Sequence, residues 1–315
     1  MNTAPPVGVV IASHAVERWP ALRAAVRSVA AQCPAPAQIV VVVDHNPALL
    51  TMARDQLPDV DVLANAGPPG ASGTRNTGAA RIRAGLIAFL DDDAVARSGW
   101  LAALGESCAM PGVLGAGGRV EPVWPGAAPA WFPDEFGWVV GASYRGLPTS
   151  RQPVRGVWSE NMMVRRDVFE AVGGFRPGFG KTGERSAPED TDFCVRAARA
   201  APGERWMYVP QALVGHTVPP RRARLRFFLG RCYNEGLGKA ELAALLGRAD
   251  ATSTERAYAR RLPAAALREA RDALTGRPHA LGRGAAIVAG TAATAAGFGH
   301  GLVTRRTIPR PGRAS

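Results

Sequence analysis

Short, continuous apolar runs punctuate the first 120 residues of this 315-residue chain and restrict the folds open to it. They are β-rich and lie at residues 7–12, 38–43, 59–64 and 85–90. Helical patterns separate them, and between the first two runs Leu22, Val26 and Val29 recur at helical spacing. Because unbroken apolar strands belong to parallel sheets that helices cover on both faces, the sequence predicts an α/β domain built from βαβ units.

Polar clusters follow three of these runs. Ser13 and His14 follow the first run, residues 44–46 (DHN) follow the second, and residues 91–93 (DDD) follow the fourth. Ligands of such sheets bind beyond the carboxyl ends of the strands, where the strand order reverses. Three adjacent carboxylates repel one another, so a metal ion, a basic partner or solvent must face them. A D-x-D pair at a strand end suits Mg²⁺ or Mn²⁺, which prefer carboxylate oxygens and also bind substrate phosphates.

The middle of the chain has a looser pattern. Residues 122–155 are rich in Pro, Gly and aromatic residues, which predicts a functional loop or lid rather than core. A strand-like run follows at residues 156–164, and within it Asn161 could contact a sugar or hold a turn by a hydrogen bond. A Gly-rich loop then leads into a helical pattern that opens with Glu189 and Asp190.

A phosphatase interpretation also fits the acidic trio. Residues 91–95 (DDDAV) match the D-x-D-x-[T/V] pattern of haloacid-dehalogenase-type phosphatases, with Asp91 as nucleophile and Asp93 as acid and base. Lys181 and the downstream EDTD segment could then take supporting roles. That motif usually opens such a chain, whereas at least two βα units precede it here. The interpretation also leaves the segment SGTRNTGAA unexplained.

The segment GPPGASGTRNTGAARIRAGLIAFLDDDAV, residues 67–95, strongly resembles family 2 glycosyltransferases with the GT-A fold. In that family an RNxG helix precedes a strand and then the acidic metal motif. The first two strands of the family resemble the segments VGVVIASH and QIVVVVDHN. Its acceptor-side segment resembles NMMVRRDVFEAVGGF, and its E-D motif resembles APEDTDFCVRA. The resemblance covers residues 7–216, and five motifs in the right order are specific where each alone is weak.

The resemblance implies a GT-A catalytic domain over residues 1–216, with a Rossmann-like, mostly parallel sheet flanked by helices. It implies an inverting, metal-dependent hexosyltransferase that uses a nucleotide-diphosphate sugar and a hydroxyl acceptor. The implied donor site has Ser13 and Asp44 near the base, Arg75 near the nucleotide, Asp92 toward the ribose, Asp93 on Mg²⁺ or Mn²⁺, and Asp91 completing D-x-D. Ala12 and His14 depart from the family pattern, because many relatives have Pro or Thr and Tyr there.

Three further residues complete the predicted site. His216 follows a β-like run where relatives often place a histidine that completes the metal shell, although a lone histidine can equally be structural. An inverting transferase needs a carboxylate that takes the proton of the acceptor hydroxyl. We expect Asp190 to be that base, with Glu189 in support. The alternative is that both acids favour a helix start.

The charge of the chain is uneven. Residues 217–315 hold 18 Lys and Arg against 6 Asp and Glu, whereas residues 1–216 hold 20 of each, so the net charge of +12 lies in the C-terminal part. A basic amphipathic segment at residues 219–231 and an uncharged stretch at residues 284–304 predict a mainly helical extension, residues 217–315, that meets an anionic membrane surface. The alternative is a solvated basic helix surface.

These patterns also limit location and class. Four scattered cysteines predict neither a zinc site nor disulfides, and the N-terminus lacks a basic leader, so we expect a cytoplasmic enzyme, peripheral at the inner face of the membrane. The expected acceptor is a cell-envelope or lipid-linked saccharide. A non-catalytic lipid- or nucleic-acid-binding module on a transferase-like fold is the alternative class. Nucleic acid is not an expected partner, because the extension has few aromatic residues for base stacking.

Overall fold

A computed structural model describes residues 5–182 and 185–304, without the side chains of residues 181–187 and 248–253. Within the described residues the chain forms two compact units. The first unit contains residues 5–128 and 134–222, and the second contains residues 129–133 and 223–304. Along the chain, the boundary between the compact units lies between residues 222 and 223. The predicted division into a catalytic domain and an extension, between residues 216 and 217, stays a prediction.

The first unit alternates strands and helices. Its strands are β1 (Val7–Ser13), β2 (Gln38–Val43), β3 (Asp61–Ala64), β4 (Leu86–Asp91), β5 (Ala94–Ala96), β6 (Val113–Val123), β7 (Gln152–Val154), β8 (Asn161–Arg165), β9 (Gly180–Thr182), β10 (Arg185–Ala187) and β11 (Arg205–Thr217). Its helices are α1 (Trp19–Ala30), α2 (Pro47–Gln56), α3 (Ala71–Arg81), α4 (Trp100–Cys108), α5 (Arg166–Ala171) and α6 (Glu189–Ala200). Short 3-10 helices lie at Val16–Arg18, Asp134–Val140 and Pro220–Ala223. The four predicted strands at the start of the chain are confirmed as β1 to β4.

The central sheet places the predicted polar clusters at one edge. Its strand order is β3-β2-β1-β4-β8-β6-β11-β5, and β7 pairs with β11. Strands β3, β2, β1, β4, β6 and β11 run in one direction, because the pairings with β8 are antiparallel on both sides. The chain moves outward from β1 to β2 and β3, and it then returns to place β4 on the other side of β1. The order therefore reverses between β1 and β4, and Ala12 pairs with Asp91 there.

Two apolar layers cover the sheet, as the unbroken apolar strands predict. Alternate residues of β1 and β2, including Val9 and Val41, face the layer formed with α1, α2 and α4. Their neighbours Val10 and Val42 face the opposite layer, which α3, α5 and α6 complete. Helix α1 buries Leu22, Ala25, Val26 and Val29, as its periodicity predicts.

Two predicted elements differ from the structure. The strand predicted at residues 156–164 begins only at Asn161, because residues 156–160 form a turn region that leads into β8. The loop predicted at residues 122–155 is partly packed. It contains the 3-10 helix Asp134–Val140, in which Phe136 is 1% exposed, and the strand β7. Phe136, one of the aromatic residues that predict a functional loop or lid here, is therefore buried.

The second unit is helical, with α7 (Leu225–Leu246), α8 (Arg248–Ala259), α9 (Leu262–Leu274) and α10 (Ala280–Thr304). Two glycines let α7 and α10 approach closely: a Cβ at Gly236 would lie 2.1 Å from the Thr294 carbonyl, and one at Gly297 would lie 2.0 Å from the Tyr233 carbonyl. By length and composition, α10 could cross a membrane; its most apolar window has a mean hydropathy of 1.3 and is 22% buried.

Candidate active site

The RNTG segment on α3 joins two of the acidic motifs. Arg75 is 6% exposed, and its guanidinium donates to Asp91 at 2.7 Å and to Glu189 at 3.1 Å. Burial lowers the pKa of Arg75, but the carboxylates of Asp91 and Glu189 outweigh burial and raise it above its ordinary value. One buried cation thus links the end of β4 to the start of α6.

The rest of the RNTG segment fixes α3 in place. The Asn76 side chain donates to the carbonyl of Phe175 at 2.7 Å and accepts from the backbone N–H of the same residue at 2.9 Å. Gly78 faces the sheet, where a Cβ would lie 2.4 Å from Val10 Cγ1. The motif therefore combines an ion-pairing residue, a loop anchor and a close helix-to-strand contact.

The central aspartate of the trio is buried. Asp92 is 1% exposed, and it accepts a hydrogen bond from Ser13 at 2.5 Å and another from Arg18. Burial raises the pKa of Asp92 to about 7, against the opposing effect of the Arg18 charge. Asp92 therefore holds both Ser13 and Arg18. Ser13 is 2% exposed, so neither Ser13 nor Asp92 is open to solvent.

The last aspartate of the trio lies beside His216. Antiparallel pairing of β5 with β11 sets Ala94 opposite His216, and Thr217 donates its N–H to the Asp93 carbonyl at 3.1 Å. His216 Nε2 lies 3.4 Å from Asp93 Oδ2, which also accepts from Arg18 at 2.5 Å. Burial lowers the pKa of His216, but the hydrogen bond with Asp93 and the charge of Glu160 raise it above its ordinary value. Burial raises the pKa of Asp93, but His216 and Arg18 bring it well below its usual range.

A second group of side chains converges on Gly141, next to this pair. A Cβ on Gly141 would lie 3.1 Å from His216 Cε1, 3.2 Å from an Arg222 Nη atom and 3.4 Å from Glu160 Oε2. Burial raises the pKa of Glu160 to about 8, and the nearby carboxylates of Asp91 and Asp93 act in the same direction. Burial therefore favours the neutral form of the Glu160 carboxyl near pH 7.

The E-D pair opens α6 at the same edge. Glu189 has 14% of its side chain exposed, and burial together with the charge of Asp190 raises its pKa to about 7. Asp190 lies in the first turn of α6 and accepts from the N–H of Thr191 at 3.1 Å. The structure thus brings Glu189 to Arg75 and Asp91 and leaves Asp190 next to them. The Gly-rich loop before the pair includes residues 183 and 184, which lie outside the described residues.

Asp44 lies apart from this cluster, at the carboxyl end of β2. Its carboxylate accepts from the Asn65 side chain at 2.7 Å and from the Gly70 N–H at 2.8 Å, and 15% of the side chain is exposed. Gly70 has φ +112° and precedes α3, so Asp44 holds the turn from which the RNTG helix starts.

Sequence patterns did not reveal Arg18, Glu160 or Arg222 as site residues. Arg18 has no motif that marks it, and Arg222 lies in a basic segment that is typical of a membrane contact. Glu160 adjoins Asn161, which the sequence did single out. Asn161 is structural: it is 1% exposed, donates to the Arg119 and Ala212 carbonyls at 3.0 and 2.9 Å, and accepts from Trp100 at 2.8 Å.

The donor set suits a hard divalent cation. Asp93 and His216 offer a carboxylate oxygen and an imidazole nitrogen side by side, and His216 Nδ1 is buried without a hydrogen-bond partner among the described residues. Among the described residues, no group of three or more Asp, Glu, His or Cys side chains is arranged to hold a metal ion. A cation here would therefore need ligands from its substrate as well, which is usual for Mg²⁺ with phosphates.

Comparison with known proteins identifies the family. The sequence model of Glycosyl transferase family 2 matches residues 9–173. The chain is 32% identical over 238 residues to the glucosyl-dolichyl phosphate glucuronosyltransferase of Haloferax volcanii, covering 74% of this chain and 76% of that protein. It is 28% identical over 236 residues to the succinoglycan biosynthesis protein ExoM of Rhizobium meliloti, covering 72% of each. The chain belongs to glycosyl transferase family 2.

Solved structures resemble the fold. The mannosyltransferase PcManGT of Pyrobaculum calidifontis, in complex with GDP-Man and Mn²⁺, matches 93% of this chain and 88% of its own with a TM-score of 0.55 and 18% identity. GalNAc-T7 with UDP, GalNAc and Mn²⁺ matches 77% of this chain but 52% of its own, with a TM-score of 0.54 and 16% identity. The fold is thus GT-A and the protein is a glycosyltransferase, so the phosphatase and the non-catalytic module are not favoured.

Proposed function

We propose that the protein is a metal-dependent, inverting hexosyltransferase that takes a sugar from a nucleotide-diphosphate sugar. The observation that carries the proposal is the pairing of Asp93 with His216, two residues after Asp91, which Arg75 bridges to Glu189. Solved relatives in fold contain Mn²⁺ with UDP or GDP-Man, which supports a divalent cation and this class of donor. When bound, Mg²⁺ or Mn²⁺ would neutralise the donor diphosphate.

We propose the following roles within the donor site. Asp93 and His216, with Asp91, would hold the cation. Asp44 lies where a nucleotide base would meet the end of β2. Ser13 and Asp92 are buried against each other, so in this proposal Asp92 positions Arg18 and does not contact the ribose.

Transfer itself needs one proton acceptor. The acceptor oxygen forms a bond to the anomeric carbon, the bond from that carbon to the phosphate oxygen breaks, and the electron pair leaves with the diphosphate. The hydroxyl proton passes to Asp190, a carboxylate in the first turn of α6. Glu189 is held by Arg75 and supports the position of Asp190.

Two variants separate donor binding from transfer. Asp190→Asn keeps the side-chain shape and removes the proton acceptor, so donor binding should persist while transfer falls by about 10²- to 10⁴-fold. Asp93→Asn should instead weaken donor binding, because it removes charge from the cation site. The measurement is calorimetric binding of UDP-, GDP- and dTDP-sugars with Mn²⁺, followed by transfer assays with the donor that binds.

The outcomes that contradict this function are distinct. Equal donor affinity in EDTA and in Mn²⁺ would rule out the metal site. Near-normal transfer by Asp190→Asn would rule out Asp190 as base and make Glu189 or Asp192 the next candidate. A covalent phosphate on Asp91 would instead favour the phosphatase.

For the acceptor, we propose a cell-envelope or lipid-linked saccharide. Two relatives carry names that refer to a dolichyl phosphate sugar and to succinoglycan. The second unit supports a membrane location. On α10 the positions Leu281, Ala285, Val288, Ala292, Ala295, Gly299 and Leu302 are all exposed, and none is charged. Leu274 on α9 is 90% exposed, and Val303 on α10 is 83% exposed. We propose that this stripe and the net positive charge bind an anionic membrane at its cytoplasmic face.

A vesicle assay tests the membrane contact. The full chain should pellet with vesicles that contain anionic phospholipid, and added salt should weaken this binding. Val288→Asp places a charge in the middle of the exposed stripe and should reduce pelleting by about tenfold, since burying that charge costs more than about 1.4 kcal/mol. Ala80→Asp makes the same charge change at an exposed position on α3 and serves as control. Equal pelleting of wild type with neutral and anionic vesicles would contradict the electrostatic part.

A further inference from the structure

Arg222 belongs by sequence to the basic segment at residues 219–231, but its side chain lies in the active site. It sits on the 3-10 helix Pro220–Ala223, and Arg221 beside it is exposed while Arg222 is half-buried. Its guanidinium donates to the Val140 carbonyl at 2.9 Å. The packed segment Asp134–Val140 therefore aims this cation at the cluster around Gly141.

The guanidinium is close to the proposed metal ligands. An Arg222 Nη atom and His216 Cε1 lie 3.2 and 3.1 Å from the same point beside Gly141. Asp93 and Glu160 are the carboxyl groups that act most strongly on it, yet among the described residues Arg222 forms no ion pair with a carboxylate. Its hydrogen bond to the Val140 carbonyl thus holds the guanidinium near the site without neutralising its charge.

Other cations add to this arrangement. Burial lowers the pKa of Arg222 below its ordinary value, and repulsion from Arg18 and Arg221 lowers it further. Arg18 binds Asp92 and Asp93 on the other side of the trio. Arg18 and Arg222 both act on Asp93, and their mutual repulsion shows a local excess of positive charge that an additional anion would relieve. Phosphate suits this position, because the guanidinium fork matches two phosphate oxygens.

We propose that Arg222 binds the β-phosphate of the donor and stabilises the diphosphate as it leaves. This inference rests on the proposed function and adds a residue to it. When the bond from the anomeric carbon to the phosphate oxygen breaks, the electron pair moves onto the β-phosphate, and the fixed charge of Arg222 lies where that negative charge grows. Arg221, one residue away and exposed, does not take this role.

The test compares ligands with and without a β-phosphate. Wild type, Arg222→Gln and Arg221→Gln are titrated calorimetrically with UDP and GDP, and then with UMP and GMP, all in Mn²⁺. Arg222→Gln should weaken binding of the diphosphate that wild type prefers by at least about tenfold, since a charge-assisted hydrogen bond is lost. Binding of the matching monophosphate should change by less than about twofold. Arg221→Gln should bind both ligands as wild type does.

Further measurements separate phosphate binding by Arg222 from a loss of folding and from lipid binding. Arg222→Lys keeps the charge and should recover part of the diphosphate affinity, and melting temperatures show whether each variant is folded. Anionic vesicles distinguish a lipid phosphate from the donor phosphate: pelleting should be unchanged in Arg222→Gln.

Loss of vesicle binding with normal diphosphate binding would assign Arg222 to the membrane and overturn the inference. Equal losses for diphosphate and monophosphate would overturn it too. If wild type binds no nucleoside diphosphate, the proposed function itself fails.

Discussion

At Arg75, one guanidinium neutralises carboxylates from two motifs that are far apart in the chain. Its ion pairs with Asp91 and Glu189 are largely shielded from water, with side-chain exposures of 7%, 31% and 14% for Arg75, Asp91 and Glu189. Removing one member of a buried pair leaves the other charges uncompensated, which costs more than the pair contributes. The arginine is therefore needed both for stability and for the position of the acids.

We expect Arg75→Gln to lower the free energy of unfolding by about 3 kcal/mol, the lower end for breaking a buried pair. It should also weaken nucleotide-diphosphate binding, because Asp91 loses the contact that orients it. Urea denaturation and calorimetry measure the two effects. Arg81→Gln is the control on the same helix: its pair with Asp61 is exposed, at 44% and 38%, and should contribute no more than about 0.5 kcal/mol. An equal effect of both substitutions would contradict the role of Arg75.

At the scale of elements, helix α3 depends on its close contact with β1 and β2. Gly78 lies over the two strands, where a Cβ would be 2.4 Å from Val10 and 3.0 Å from Val42. Valine side chains in a packed sheet have little freedom to move away. The helix carries Arg75, so its distance from the sheet also sets the position of the guanidinium.

Gly78→Ala should therefore destabilise the protein by about 1–3 kcal/mol through overpacking, although alanine is the better helix former. Gly105→Ala on α4 is the matched control, because a Cβ there meets no atom within 4 Å. That substitution should stabilise by about 0.4–1 kcal/mol. Thermal and urea unfolding of the two variants give the comparison. If both changes moved stability in the same direction, close packing of α3 on the sheet would not be what requires glycine at residue 78.

At the scale of the whole molecule, buried titratable groups in the site make the stability of the protein depend on pH. The pKa values of Asp92 and Glu189 rise to about 7 and that of Glu160 to about 8, chiefly through burial. The pKa of His216 is also raised, through Asp93 and Glu160, against the effect of burial. In the unfolded chain the three carboxyl groups titrate near pH 4 and the histidine near about 6.5. Between about pH 5 and 8 the folded protein thus binds more protons than the unfolded chain, and stability falls as pH rises.

We expect the metal-free protein, in EDTA, to be more stable at about pH 5.5 than at about pH 8. Each extra proton bound by the folded state contributes a slope of about 1.4 kcal/mol per pH unit. Urea denaturation across this range measures the slope. Glu160→Gln removes one titrating group and should flatten it, whereas Glu106→Gln, at a side chain that is 67% exposed, should not. Stability that rises across the same pH range would show that these carboxyl groups are not buried as described.

Local sequence patterns were enough to predict most of the strands and helices and the motifs that they carry. Apolar periodicity predicted β1, β2 and β4 closely, because the burial pattern of a strand or helix is written in neighbouring residues. The acidic trio, the RNTG helix and the E-D helix could be placed at strand and helix ends for the same reason. The predicted lid, however, became partly core, because periodicity does not show what a loop packs against.

Which side chains meet depends instead on how the folded chain brings distant segments together. Asp91, Asp92 and Asp93 are neighbours in sequence, but one pairs with Arg75, the next is buried against Ser13, and the last faces His216. The register of β5 on β11 brings His216 to Asp93, and this depends on strands separated by over one hundred residues. Arg222 was assigned by its basic neighbours to a membrane surface, whereas a single hydrogen bond to Val140 turns it inward. The charge state, the burial and the partner of each of these side chains depend on long-range contacts, which local sequence patterns do not encode.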